Sequence, residues 1–313
     1  MQTVTTRWTT AILLAATLAA CGGDDGSSTP PPEVGKSRFS LSTSITLMQL
    51  CLESYQMLTD FENGQTFTLP SPFTLEAQFS TEEHFTGEGL NGMVPIAFVG
   101  SSGNSIYVVF RGTKTISEWI SDATATQVDY ILPGSGLTET GFTDIYTTID
   151  AAIIDEVNSL AANSSYTALY ITGHSLGGAL AVLAAPDLAA KTRFKQPIVY
   201  TFAGPRAGDP IFAFTYGEAV ENSWRVVNTN DEVPKLPNVV TVIFRGSPRK
   251  EEIFLSEHVD EEFDITFGGP IHSIGDLIFN HSSCNYFATL CGMTRNPAQC
   301  EQAGQGLNGC NFS

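Results

Sequence analysis

The chain has 313 residues, 42% of them hydrophobic and 15% charged, enough apolar material to bury a large core. With 33 acidic against 15 basic residues its formal charge is −18, which argues against nucleic acid as a partner and against attraction to an anionic membrane. No segment repeats at a solenoid period, and the length suits one large α/β domain.

Residues 1–20 read as an export signal: Arg7 lies in a short polar region, and ten apolar or small residues precede Cys21. Ten residues are too few to span a bilayer as a helix. Leu18-Ala19-Ala20-Cys21 resembles the bacterial lipoprotein signal, which implies that Cys21 becomes the lipidated first residue of the mature chain. A plain secretory signal is the competing reading. Gly22, by resemblance to Gram-negative lipoproteins, implies the outer membrane, so the expected location is the cell envelope or the medium. Residues 21–36 are rich in Gly, Asp, Ser and Pro and form a tether, with the folded part expected from Ser37.

Strand-like runs recur at 94–99, 105–110, 167–172, 196–202, 224–228 and 240–244, several of them apolar on both faces, as in sheets covered on each side. Helical spacing marks 47–58, and then Phe142, Ile145, Ile149, Ile153 and Val157. The alternation predicts a mostly parallel central sheet flanked by helices.

Between the run 167–172 and an alanine-rich helical stretch lies Gly173-His174-Ser175-Leu176-Gly177-Gly178, in the order of a nucleophile elbow. A serine at a tight strand-to-helix turn needs nearly side-chain-free residues two before and two after it, and Gly173 and Gly177 meet that need. A glycine-rich turn with an idle serine is the rival reading.

A serine hydroxyl attacks an ester only with a neutral imidazole to take its proton and a buried carboxylate to orient the ring. On such sheets the order along the chain is Ser, Asp, His. Asp231, just past the run 224–228 and followed by Pro234 and Pro237, is the preferred acid. Asp209 competes, although the turn-forming residues around it favour a local bond, and Glu221 and Glu232 are expected to face water. His84 precedes the serine, and His174 sits in the elbow itself, where the turn is expected to carry its side chain outward. His281, with apolar anchors on both sides, leads as base over His272, which follows a Gly-Gly-Pro turn, and over His258, read as a solvated side chain in the acidic stretch 256–262. Oxyanion donors are expected from the Leu176 N–H and, at the end of the run 105–110, from the N–H and hydroxyl of Thr113.

The set formed by residues 109–113, Gly141-Phe142 with Tyr146, the elbow, Gly204-Pro205-Arg206, residues 228–237, and His281 with Tyr286 resembles the class 3 lipases, the fungal-type triacylglycerol lipase and feruloyl esterase group. The resemblance runs from about Leu47 to Phe287, within a catalytic domain placed at 37–287. It implies the α/β-hydrolase fold, Ser175, Asp231 and His281 as triad, and Thr113 and Leu176 as oxyanion-hole residues. It also implies a lid after Thr113, where Ile116, Trp119 and Ile120 fall on one helical face. A fixed helix with that face in the core is the alternative. The activity implied is hydrolysis of lipid carboxylic esters through an acyl-enzyme, without metal or organic cofactor. Phospholipase A1 and feruloyl-type aryl esterases share the machinery, and a non-catalytic surface lipoprotein would keep the fold alone. The partners expected are a lipid or other ester and, through Cys21, a membrane.

Asn280 departs from the pattern, since many relatives have Asp before the histidine. Besides Cys21 the chain has Cys51, Cys284, Cys291, Cys300 and Cys310, and the crowding of the last four predicts disulfides stapling a tail, 288–313. Metal ligation is the rival there, without a C-x-x-C pair to support it. Fungal relatives tie an N-terminal helix to the C-terminal region, which implies a bond from Cys51 to the tail.

Overall fold

A seven-stranded sheet runs through the molecule, its strands lying side by side in the order 74–82, 93–102, 105–110, 168–174, 198–202, 222–228 and 261–265. The computed structural model describes residues 38–82, 92–114, 126–162, 165–246, 249–295, 300 and 310, which belong to one compact unit, Lys36–Ser313. The export signal, Cys21 and the tether lie outside the described residues, as do Ile116, Trp119 and Ile120.

Strands β1 (Thr74–Glu82), β2 (Met93–Ser102) and β3 (Ser105–Phe110) pair antiparallel. From β3 onward, β6 (Ala168–His174), β7 (Ile198–Phe202), β8 (Asn222–Asn228) and β11 (Glu261–Ile265) are all parallel. Side chains alternate across this sheet. Ile106, Val108 and Phe110 enter one apolar cluster with helices α2 (Thr140–Thr147), α3 (Asp150–Ala161), α4 (Leu176–Lys191) and α5 (Pro210–Ala219). Val109, Tyr200, Phe202 and Trp224 enter the other, with α1 (Leu41–Glu62) and α7 (Ser283–Met293). Helix α4 is buried over nearly its whole length, which its apolar, alanine-rich sequence permits. Each fully buried leucine on it, such as Leu180 or Leu183, stabilises the fold by roughly 1.5–3 kcal/mol.

The apolar spacing from Phe142 to Val157 predicts one helix, and the structure has two. Thr147 Oγ1 bonds the Thr143 carbonyl at 2.9 Å, and Thr148 Oγ1 bonds the Ile145 carbonyl at 2.7 Å and Thr81 Oγ1 at 3.0 Å. These hydroxyls compete with the helical backbone, and the chain restarts after Ile149, which stays buried. The run 240–244 is a strand, β9 (Val240–Arg245), but it pairs only with β10 (Lys250–Leu255), outside the central sheet. A short hairpin of β4 (Gln127–Asp129) and β5 (Leu137–Glu139) is likewise separate. Helix α6 (Ile274–Asn280) leads directly to His281.

Two disulfides join α7 to the tail, Cys284–Cys310 and Cys291–Cys300. The expected bond from Cys51 to the tail is not formed. Cys51 is a free thiol on the inner face of α1, completely buried against β6, with its sulfur 3.4 Å from Thr172 Oγ1. Burial pushes the thiol up to about 12.

Candidate active site

Strand β6 ends in Gly173-His174, and the next residue, Ser175, has φ 60° and ψ −130° before α4 begins at Leu176. A non-glycine residue at positive φ is strained by about 1–3 kcal/mol and needs its surroundings to hold it. Here the Ser175 N–H donates to the Phe202 carbonyl at 2.9 Å and the Gly178 N–H to the Ser175 carbonyl at 2.8 Å. The flanking glycines are required sterically. A Cβ on Gly173 would strike the Gly177 carbonyl, and one on Gly177 would strike the Phe110 carbonyl.

Asp231 lies three residues beyond β8 and is completely buried. Its N–H donates to the Asn228 carbonyl at 2.8 Å, and its Oδ1 accepts from the Val233 N–H at 3.0 Å. His281 caps the C-terminus of α6, and Ser282, the N-cap of α7, follows at once, so two helix ends fix the ring between them. His281 Nδ1 is 2.8 Å from Asp231 Oδ2, and Nε2 is 2.8 Å from Ser175 Oγ. A carboxylate can only accept, so Nδ1 carries the proton and Nε2 is left to accept from the serine hydroxyl. Ser175, Asp231 and His281, far apart in sequence, thus meet in one buried chain of hydrogen bonds.

The segment after β3 closes on the serine from the other side. Arg111 is fully buried, with Nε donating to the Pro95 carbonyl at 2.9 Å and Nη1 to the Gly112 carbonyl at 2.7 Å. A Cβ on Gly112 would stand 3.1 Å from Ser175 Cβ and strike the Tyr55 hydroxyl, so only glycine fits there. Thr113 follows, buried, and Leu176 opens α4, whose first N–H groups have no partner within the helix.

The other candidates are accounted for. Asp209 Oδ1 accepts from Phe212 N–H at 2.7 Å and Leu137 N–H at 3.0 Å, capping α5. Glu232 and Glu221 are exposed, as is His272. His84 lies outside the described residues. His258 is not a solvated side chain: it is half-buried, its Nε2–H donates to the Pro234 carbonyl at 2.6 Å, and burial, then the Arg225 charge, pushes it down to about 3. His174 does not point outward either. Its ring is buried 4.8 Å from that of His281, with Nδ1 2.9 Å from the Tyr55 hydroxyl, and burial, then His281, keeps it neutral.

Two supporting residues have no role in the sequence reading. The Tyr286 hydroxyl, which accepts from Asn228 N–H at 2.8 Å, donates to Asp231 Oδ2 at 3.0 Å. Asn280 Nδ2 donates to the Asn230 carbonyl at 3.0 Å and the Gly269 carbonyl at 2.8 Å, tying the His281 corner to the Asp231 loop. The signal for Tyr286 was a polar-tipped aromatic five residues after the histidine. Among the described residues no group of His, Cys, Asp and Glu side chains is arranged to hold a metal.

A parallel sheet with an antiparallel start, helices on both faces and a strained serine between β6 and α4 defines an α/β-hydrolase fold. The profile described as lipase (class 3) matches residues 107–241. It is 32% identical over 178 residues to the secreted mono- and diacylglycerol lipase A of Penicillium cyclopium, covering 55% of this chain and 58% of that one. It is 31% identical over 211 residues to a chloroplastic/mitochondrial phospholipase A1 of Oryza sativa subsp. indica, covering 60% and 48%. Among solved structures, the Rhizomucor miehei triacylglyceride lipase superposes with a TM-score of 0.54 at 26% identity, covering 69% of this chain and 86% of that one. The chain thus spans less than three fifths of the length of these two curated relatives.

Proposed function

We propose that the protein hydrolyses carboxylic esters of lipids through an acyl-enzyme. The observation that carries this reading is the continuous hydrogen-bond chain from Ser175 Oγ through His281 to Asp231, held on a strained elbow. Ser175 attacks the ester carbonyl while His281 Nε2 takes its proton. Asp231 stabilises the imidazolium that forms, and the same proton then goes to the departing alkoxide. The N–H of Leu176, with the N–H and hydroxyl of Thr113, holds the oxyanion, each donor contributing on the order of 10²–10³ in rate. Water, activated by His281, cleaves the acyl-enzyme and restores the serine.

Acylglycerols and phospholipids present the same ester to this machinery, and the relatives include enzymes named for both. The reading extends to location: export by residues 1–20 and lipidation at Cys21 would hold the enzyme at the cell envelope. Replacing Ser175 by Ala tests the reaction. Turnover of a nitrophenyl ester should fall by about 10⁴-fold or more with the circular dichroism spectrum unchanged. Retained turnover would refute it.

A further inference from the structure

The β9–β10 hairpin leaves the domain with an apolar face that nothing described covers. Directly paired residues share a face of an antiparallel ladder, and the pairs Val240–Leu255 and Val242–Ile253 stand on one side beside Phe244, whose own partner, at the end nearer the turn, is Glu251. All five are between 42% and 60% exposed. On the opposite side Thr241, Ile243 and Phe254 are half-buried. A two-stranded hairpin is marginal by itself in water, and an uncovered apolar face on it marks a contact surface.

The charge at its far end says what kind. The chain has 15 basic residues in 313, yet Arg245, Arg249 and Lys250 fall within six positions at the turn, all three exposed. Glu251 and Glu252 follow on β10, and Glu252 Oε2 lies 3.5 Å from Arg245 Nε, but Arg249 and Lys250 form no ion pair with a described residue. Apolar side chains beside a small group of cations suit the boundary of a phospholipid bilayer, where the rings and aliphatic chains enter the acyl layer and the cations reach the phosphates. On a protein of net charge −18 a local cationic tip matters more, because the rest of the surface is repelled.

The root of the hairpin is fixed to the site. Ser256 N–H donates to the Val239 carbonyl at 2.9 Å, and Gln127 Nε2 donates to the Leu255 carbonyl at 2.7 Å. Val239 lies two residues beyond Pro237, at the end of the loop that begins at Asp231, where the carbonyls of Lys235 and Pro237 both accept from Arg206 Nη1. We infer that the outer face of the β9–β10 hairpin docks the protein onto a phospholipid bilayer, through Val240, Val242, Phe244, Ile253 and Leu255, with Arg249 and Lys250 on the headgroups. The purpose of such docking rests on the lipid-ester reading above; the docking itself does not require turnover.

The test is sedimentation with vesicles of phosphatidylcholine, alone and with added phosphatidylglycerol. The full chain carries Cys21→Ser so that no anchor contributes. Replacing Phe244 and Ile253 together by Ser should weaken partitioning to both vesicles at least about tenfold, with turnover of a soluble ester within about twofold of the parent. Replacing Arg249 and Lys250 by Gln should weaken binding about threefold to tenfold on the phosphatidylglycerol vesicles and less on phosphatidylcholine alone. Unchanged partitioning of the Phe244/Ile253 variant would overturn the inference. So would a dimer in sedimentation equilibrium that this variant dissolves, since the face would then belong to a second copy. Vesicle binding without ester turnover would leave the docking intact and remove the proposed reaction instead.

Discussion

Tyr286 Oη sits 3.0 Å from Asp231 Oδ2, the oxygen that also receives His281 Nδ1. Burial, and then the Asp231 carboxylate, hold the phenol well above its usual range, so the O–H remains a donor at any working pH. The proposed acid therefore has two donors on one oxygen and the Val233 N–H on the other. Tyr286 is a positioning residue: it touches the carboxylate and not the substrate.

Tyr286→Phe should lower kcat about five- to tenfold with KM nearly unchanged. It also leaves the buried Asn228 N–H without its acceptor, at a cost of about 1–3 kcal/mol in stability. Steady-state kinetics with chemical denaturation checks both. An unchanged kcat would mean that the phenol only fills space.

Asn280→Asp should destabilise the protein by about 1–3 kcal/mol at neutral pH, because a carboxylate would replace the amide that donates to two carbonyls. The loss should shrink near pH 5, where protonation restores one donor. Denaturant melts of the two proteins at both pH values decide it, and equal stability at neutral pH would show that the amide bonds contribute nothing net.

Much of this site was legible in the sequence, for a steric reason. The elbow demands glycine at 173 and 177, and few residues satisfy such a demand by accident, so pattern and conformation correspond closely. The order of acid and base along the chain set aside His84 but left Asp209 beside Asp231, and His272 and His258 beside His281, so the final choice rested on the local surroundings of each. What was not legible depends on contacts between segments distant in sequence. Strand β11 reads as an acidic surface stretch because it is an edge strand, with Glu261 and Glu262 exposed and only Ile265 buried. His258 is drawn under the Asp231 loop by that strand's approach, which no local pattern announces. The break at Ile149 hides beneath an unbroken apolar stripe.

Stability should carry opposed pH dependences from two groups, one buried and one half-buried. Glu53, on α1, is pushed up to about 7 by burial and then by Asp60, from an unfolded value of 4.5. The folded state favours its neutral form, so stability falls as pH climbs from about 4.5 to about 7 and is level above. Glu53→Gln should remove that slope, gaining up to about 3 kcal/mol at pH 8 and little at pH 4. His258 acts in the other direction: pushed down to about 3 from 6.5, it loses stability as pH falls through that window. Thermal melts of wild type and Glu53→Gln across pH 4–8 should diverge with rising pH, and parallel curves would contradict the assignment.

Thiol titration reports on Cys51 and Cys21 together. In the native protein Cys51 should be silent towards an aromatic disulfide reagent, being buried and far from its thiolate. In denaturant without reductant, a single thiol should appear if Cys21 carries lipid, and two if it does not. Cys284–Cys310 and Cys291–Cys300 remain closed throughout, each contributing about 2–4 kcal/mol to the fold. Reaction of Cys51 in the native state would contradict its placement.

The central claim is that Ser175 is the activated nucleophile, and covalent capture tests it most directly. Treating the native protein with a fluorophosphonate and mapping the adduct by mass spectrometry should place a single phosphonyl group on Ser175, with labelling lost in His281→Ala. No adduct, or one on another serine, would contradict the account.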